Sequence, residues 1–236
     1  MMKKQLLLLA LLAAAVTAGA GNVVDNDEDK SEVHDGLVMN EGENDAFSMH
    51  FQVGVDVPVS VPDGMSFAPL RSWEIQWTVI QYDYTLKSTS TTFSAGLGLN
   101  WRNYTLKGHD QMFGKVNDFI AVGTPDGGID DLASSIHTRS LVVPLLVKQR
   151  FSKNFAISLG GQLNWNFYAR VVNQFENGDE KFNVDTRKIG ERPVTVDILG
   201  IVHLWKLGLY CKYSPMSVLK TDRGPEFKSL AFGLYF

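Results

Sequence analysis

The sequence predicts an all-β chain, an eight-stranded antiparallel transmembrane β-barrel with short periplasmic turns and longer extracellular loops. Three observations carry that prediction. Large apolar residues recur at every second position in segments from Phe47 to Phe236, and a period of two sends successive side chains to opposite faces of a strand. Past residue 20 no apolar run reaches the roughly 20 residues of a membrane helix, although 44% of the chain is hydrophobic and 11% aromatic. The N-terminus carries an export pattern.

That pattern is Met1-Met2-Lys3-Lys4, an apolar run from Leu6 to Val16, and small residues at Ala18-Gly19-Ala20. It reads as a signal peptide over residues 1–20. No cysteine follows the cleavage site, so no lipoprotein anchor is expected there. Cleavage removes Lys3 and Lys4 and leaves 20 basic against 26 acidic residues, a net charge of −6. Such a balance argues against a nucleic-acid partner held through phosphates. Cys211 is the single cysteine, so an internal disulfide is excluded. Residues 21–45 are acidic and thinly apolar, and cannot bury enough surface to offset their ordering entropy. They are expected to form a disordered periplasmic tail, with the barrel occupying 46–236.

The first strand follows from Phe47, Met49, Phe51, Val53 and Val55 alternating with Ser48, His50, Gln52 and Gly54. Pro58 and Pro62 predict that its pairing stops near Asp56 or Val57. The second runs from Ser72 to Leu86, where Trp73, Ile75, Trp77 and Val79 alternate with Glu74, Gln76 and Thr78. Its phase flips after Ile80, which predicts a β-bulge. In the third, Phe93, Ala95, Leu97, Leu99 and Trp101 oppose Ser94, Gly96, Gly98, Asn100 and Arg102. A polar, glycine-rich loop is expected over 107–138. The fourth strand, 141–151, alternates less cleanly and contains Pro144. The fifth puts Phe155, Ile157, Leu159, Leu163, Trp165, Phe167 and Ala169 on one face, with Ser158, Gln162, Asn164, Asn166, Tyr168 and Arg170 on the other. After a second loop, 171–192, strands six (194–204), seven (207–214) and eight (227–236) complete the set. In the last, Leu230, Phe232, Leu234 and Phe236 are the apolar face.

Connections after strands two, four and six are short and the others longer. Bacterial outer-membrane barrels share that alternation and an even strand number. Two aromatic levels are expected where a barrel meets the membrane interfaces. Phe151, Phe155, Trp205 and Phe236 fall at one end of the strands, and Trp73, Trp101, Trp165 and Phe167 at the other.

The polar face carries Asp56, Glu74, Arg102, Lys148, Arg150, Arg170, Asp197, His203 and Lys212 among small residues. A solvated exterior would hold more lysine and glutamate per strand. Mixed charges and small residues suit the lumen of an eight-stranded barrel, which has room only for side chains. Glu74, Asp56 and Asp197 are expected to pair with Arg102, Arg150 and Arg170 and plug it, since confined charges must be paired. His50 and His203 are expected to join that network, and Cys211, in phase with Leu207 and Leu209, to face lipid.

Leu141-Val142-Val143-Pro144-Leu145-Leu146-Val147-Lys148, Gly208-Leu209-Tyr210-Cys211-Lys212-Tyr213-Ser214 and the terminal strand resemble the small outer-membrane β-barrel domain family of porin-like and PorT-like outer membrane proteins. The resemblance covers about residues 47–236 and rests on loose motifs. It implies a barrel without catalytic residues. The terminal strand ending at Phe236 also resembles the signal read by the barrel-assembly machinery, although Ala231 stands where that pattern has glycine.

No catalytic, cofactor-binding or metal residues are assigned. His109, Asp110, Ser134, Ser135 and His137 are residue types from which a rim hydrolase is built, but such a site needs a nucleophile, base and orienting group in reach of one another. Asp126, Asp130 and Asp131 lack the spacing of a calcium loop. The expected protein is a monomer of the bacterial outer membrane, not an enzyme, without cofactor, with a structural, adhesive or small-solute role. Its partners are outer-membrane lipid and the assembly machinery. The alternatives are a binding module acting through loops 107–138 and 171–192, a diffusion porin, which takes about 16–18 strands, and a rim hydrolase.

Overall fold

Alternation of bulky apolar with small or polar residues produces strands throughout the computed structural model, which describes residues 37–41, 45–125, 130–177, 180–205 and 207–236. In chain order these are β1 (Leu37–Glu41), β2 (Asp45–Val59), β3 (Trp73–Thr85), β4 (Thr91–Thr105), β5 (Met112–Val116), β6 (Phe119–Gly123), β7 (Asp130–Ser152), β8 (Phe155–Asn177), β9 (Glu180–Arg187), β10 (Val194–Leu204), β11 (Leu207–Ser214) and β12 (Lys228–Tyr235). Eight of them close a ring in the order β2-β12-β11-β10-β8-β7-β4-β3, with β3 pairing back to β2. All eight expected strands lie in that ring. The seam between β12 and β2 runs antiparallel from Lys228↔Val59 to Tyr235↔Gln52. Beyond it Phe51 and Phe236 exchange backbone bonds at 2.6 and 2.9 Å. Closure leaves no unpaired edge around the ring, the arrangement a lipid-immersed sheet requires.

Connections at one end of the barrel, 86–90, 153–154 and 205–206, are short; those at the other are long. We call these the turn end and the loop end. The expected signal peptide, 1–20, and residues 21–36 lie outside the described residues. Within the stretch expected to be a tail, Leu37–Glu41 forms β1 against β2, from Leu37↔Met49 to Glu41↔Ala46.

The expected bulge falls at Val79, where the β3–β4 register jumps from Thr78↔Gly98 to Ile80↔Leu97. It brings Ile80, Tyr82 and Tyr84 to the exposed face. Pro144 is accommodated where the β4–β7 register skips from Ala95↔Leu145 to Gly98↔Val142; its missing N–H could not have served that ladder. Leu199 and Ile201, which blur the sixth strand's pattern, both point into the lumen and are buried. Cys211 is exposed on the outward face with Leu207 and Leu209, as expected.

Two expectations are corrected. The loops expected at 107–138 and 171–192 are largely strand: β7 begins at Asp130, β8 runs on to Asn177, and β9 folds back on β8. Neither extension carries the bold apolar alternation of the belt, because each stands clear of the outward apolar band. A hairpin, β5–β6, fills part of the first loop, turning at Asn117 and Asp118, both with positive φ. Two left-handed central residues are the hairpin turn that matches strand twist. The second correction is the facing of strand five. The β7–β8 register passes from Arg139↔Tyr168 to Ser140↔Asn166, so Phe167 is an extra residue. Beyond it the faces exchange: Ala169 and Val171 enter the core, while Tyr168 and Arg170 turn outward opposite Arg139 and His137.

The outward belt is apolar. Val53, Ile75, Leu97, Leu145, Leu163, Val196, Val202, Leu209 and Leu234 are exposed on it. At the turn end Phe151, Trp205 and Phe236 are exposed, and at the loop end Trp73, Trp165 and Phe167.

Candidate functional site

The lumen is filled in layers. At its centre Arg102 of β4 stands directly opposite Glu74 of β3. Arg102 Nε donates to Glu74 Oε2 at 2.6 Å, Nη2 to Asp197 Oδ2 at 2.5 Å and Nη1 to Ser214 Oγ at 3.1 Å. Asp56 Oδ2 lies 3.9 Å from Nε. Lys212 is wholly buried and binds the other Glu74 oxygen at 2.5 Å and Gln76 Oε1 at 2.9 Å. Asn164 Nδ2 donates to Asp197 at 2.9 Å, and Gln76, Gln162 and Asn164 continue the chain of bonds across the barrel at 2.9 and 2.7 Å. The planar guanidinium can bind carboxylates from several directions at once, so one side chain ties β3, β4, β10 and β11 together.

Of the expected ion pairs, Arg102 with Glu74, Asp56 and Asp197 is present. Arg170 is absent from the lumen because the bulge at Phe167 turns it outward, where its Nη1 pairs with Asp185 of β9 at 2.5 Å. Arg150, opposite Ala156, sits at the turn end near Ser152, well below the centre. The second cation is Lys212. Its position between Tyr210 and Ser214, both buried, was legible from strand phase. Beneath the charges lies an apolar layer of Leu146, Leu199, Ile201, Tyr210, Ala231 and Tyr235. His50 and His203 lie at its far side rather than in the charge network. Their Nε2 atoms meet Ser48 Oγ at 2.8 Å and Ser158 Oγ at 2.7 Å, and both rings pack on Tyr235. They border a cavity of about 30 Å³ with Asp83 and Lys148, room for about one water.

The loop end is closed by a second core. Phe67, Tyr104, Leu106, Phe113, Ile120, Ile136, Val171, Ile189, Leu219 and Phe227 pack together there, with Met65 and Ala169. Phe67 and Tyr104 hold the Phe227 ring at 4.8 and 5.3 Å. The β5–β6 hairpin delivers Phe113 and Ile120 as a lid. It is fixed by Ile120 N to Arg223 O at 2.7 Å, Phe113 N to Ser134 Oγ at 2.9 Å and Asn173 Nδ2 to Phe113 O at 2.8 Å. Asp118 at its tip is held below the usual carboxylate range by the Lys115 ammonium, 2.9 Å away.

Of the residue types from which a rim hydrolase is built, the structure brings Ser135 and His137 together and places Ser134 and His109 on other partners. Ser134 points inward, donating to Asn173 Oδ1 at 2.5 Å. Ser135 and His137 face outward, with Ser135 Oγ and His137 Nε2 3.1 Å apart. His109 Nδ1 bonds to the Leu132 carbonyl at 3.0 Å. Burial, and then the neighbouring Arg170 guanidinium, hold the His137 imidazole below its ordinary pKa. Asp126 and the side chains of Asp130 and Asp131 lie outside the described residues. Among the described residues no group of three or more His, Cys, Asp and Glu could hold a metal ion.

No protein-family model and no curated protein matches the chain, so the resemblance to the small outer-membrane barrel family rests on its strand motifs. Among solved structures, the chain is similar to Ail, the attachment invasion locus protein of Yersinia pestis, at 11% identity over 83% of this chain and 100% of that one, with a TM-score of 0.33.

Proposed function

We propose that the protein is a closed outer-membrane barrel that works through its loop-end surface, in a structural or adhesive role, and does not conduct solute. The observation that carries this is the doubly blocked lumen. The Arg102–Glu74–Asp197–Lys212 cluster fills the middle, and the Phe113–Ile120 lid with its apolar core seals the mouth. An eight-stranded ring has little interior to spare, and here side chains take it. The apolar belt between two aromatic levels supports placement in lipid, and the export pattern supports a bacterial outer membrane. Monomeric assembly by the barrel-assembly machinery, through the strand ending at Phe236, belongs to the same reading, as does the absence of enzyme activity.

The test is conductance of the purified protein in planar bilayers, alongside swelling of liposomes in small sugars. A silent, non-swelling protein that still shows the compact unboiled band of a folded barrel supports the reading. A steady conductance would replace it with the diffusion porin.

A further inference from the structure

On the outward side of the loop end, the exchange of faces at Phe167 gathers three arginines around one tyrosine. Arg139 of β7 lies opposite Tyr168 of β8, and its guanidinium carbon is 5.1 Å from the ring centroid. Arg187 of β9 approaches the same ring at 5.8 Å. Arg170 stands directly across from Arg187 in the β8–β9 pairing. Like charges directly opposite one another destabilise a strand pair. One carboxylate, Asp185 on Arg170, offsets part of that repulsion. Among the described residues Arg139 and Arg187, both exposed, form no ion pair, and Arg170 Nε is buried without a hydrogen-bond partner. A chain of net negative charge therefore concentrates unneutralised cations at one place.

That place adjoins the aromatic level. Arg139 is also the cross-strand partner of Trp101, and Tyr168 follows the exposed Phe167. Aromatic levels mark where hydrocarbon gives way to headgroups, so the three guanidinium groups stand at headgroup depth, facing lipid. Guanidinium forks match phosphate oxygens bidentately, and the tyrosine face holds two of them in position.

We propose that Arg139, Arg170 and Arg187, arranged on Tyr168, form a binding site for the phosphate of an outer-leaflet lipid headgroup. The proposal rests on the outer-membrane reading above. The site makes the headgroup a fourth member of the β7–β8–β9 corner and relieves the Arg170–Arg187 repulsion.

The experiment measures the temperature at which the compact, unboiled form of the detergent-solubilised protein converts to the unfolded band. The probes are a bis-phosphorylated glucosamine lipid, its dephosphorylated counterpart, and inorganic phosphate. The phosphorylated lipid is expected to raise the conversion temperature, with little effect from the other two. The triple variant Arg139→Gln/Arg170→Gln/Arg187→Gln is expected to lose that rise. Arg187→Gln alone, on an exposed strand where folding is not at stake, is expected to weaken the lipid effect about tenfold in concentration. An equal rise with the dephosphorylated lipid, or with inorganic phosphate, overturns the site as a lipid-phosphate site. So does a full response in the Arg187→Gln variant. A protein that shows the compact band yet ignores the phosphorylated lipid overturns this proposal alone, whereas a protein with no compact band overturns the barrel reading beneath it.

Discussion

Arg102 Nε and Glu74 Oε2 meet at 2.6 Å across the β3–β4 pair, inside the barrel and shielded from solvent on every side. The same guanidinium reaches Asp197 on the far wall. Three carboxylates and two cations thus share one water-poor space, where each charge depends on its neighbours.

Removing one member should therefore cost more than removing several. Arg102→Met leaves Glu74 and Asp197 facing each other without their common partner, and the expected loss is about 3–5 kcal/mol. Adding Asp197→Asn to it, which leaves Glu74 paired with Lys212, should recover a large part of that loss. Urea midpoints of the conversion from the compact to the unfolded band, in detergent, measure both. A single variant as stable as the parent would show that the cluster contributes nothing to holding the ring.

The seam predicts a second sensitivity. A Cβ added at Gly233 would lie 2.1 Å from Val53 O, and one at Gly54 would lie 2.3 Å from Phe232 O. Each glycine is there because the facing backbone leaves no room for a side chain. Gly233→Val should force β12 away from β2 and open the ring, so the compact band should be lost or convert at a much lower temperature. Valine at Gly114, around which an added Cβ meets nothing within 4 Å, should leave the band unchanged.

How much of this was legible beforehand follows from where side chains meet a uniform environment. In the belt the outward residues are apolar throughout, so Val194, Val196 and Ile198 alternate cleanly and strand, face and bulge at Val79 could be read directly. Above the aromatic level that uniformity ends. Val171, Val172 and Asn173 are buried in succession, and no period of two survives to mark β8 as continuing. Inside the lumen, composition showed that charges must pair, yet the partners were set by the extra residue at Phe167, which removed Arg170 from the barrel. The hairpin did leave a signal. Met112-Phe113-Gly114-Lys115-Val116 and Phe119-Ile120-Ala121-Val122 flank Asn117-Asp118, residues suited to a left-handed turn.

The two blocks in the lumen should act in series. Deleting the hairpin that carries Phe113 and Ile120 should leave the protein electrically silent, because the Arg102 cluster still fills the middle. Small side chains at Arg102 and Lys212 alone should also leave it silent, since the mouth core remains. Only the combination is expected to conduct in planar bilayers. Conductance from the hairpin deletion alone would mean that the charge cluster is permeable.

His137 predicts a dependence on acid. Burial and Arg170 lower its pKa in the folded state, so folding favours the neutral ring. The contribution is present above the unfolded pKa of about 6.5 and is lost as pH falls below it, because the unfolded chain then binds the proton more readily. The urea midpoint should fall between pH 7 and pH 5 by more in the parent than in His137→Asn. Equal falls would assign the acid sensitivity to other groups.

Cys211 tests which face of the barrel meets lipid. It is exposed on the outward side, between Tyr210 and Lys212, which are both buried in the lumen. Its strand neighbours on the outward face, Leu209 and Leu207, are equally exposed. If that face meets hydrocarbon, a charged maleimide should leave Cys211 untouched in protein reconstituted into liposomes, while an uncharged, lipid-soluble maleimide labels it. Both reagents should label the urea-unfolded protein, which controls for intrinsic thiol reactivity. Rapid labelling by the charged reagent in liposomes would place water on the apolar face, and a soluble barrel carrying its ligand among Leu207, Leu209 and Leu234 would then account for the pattern better.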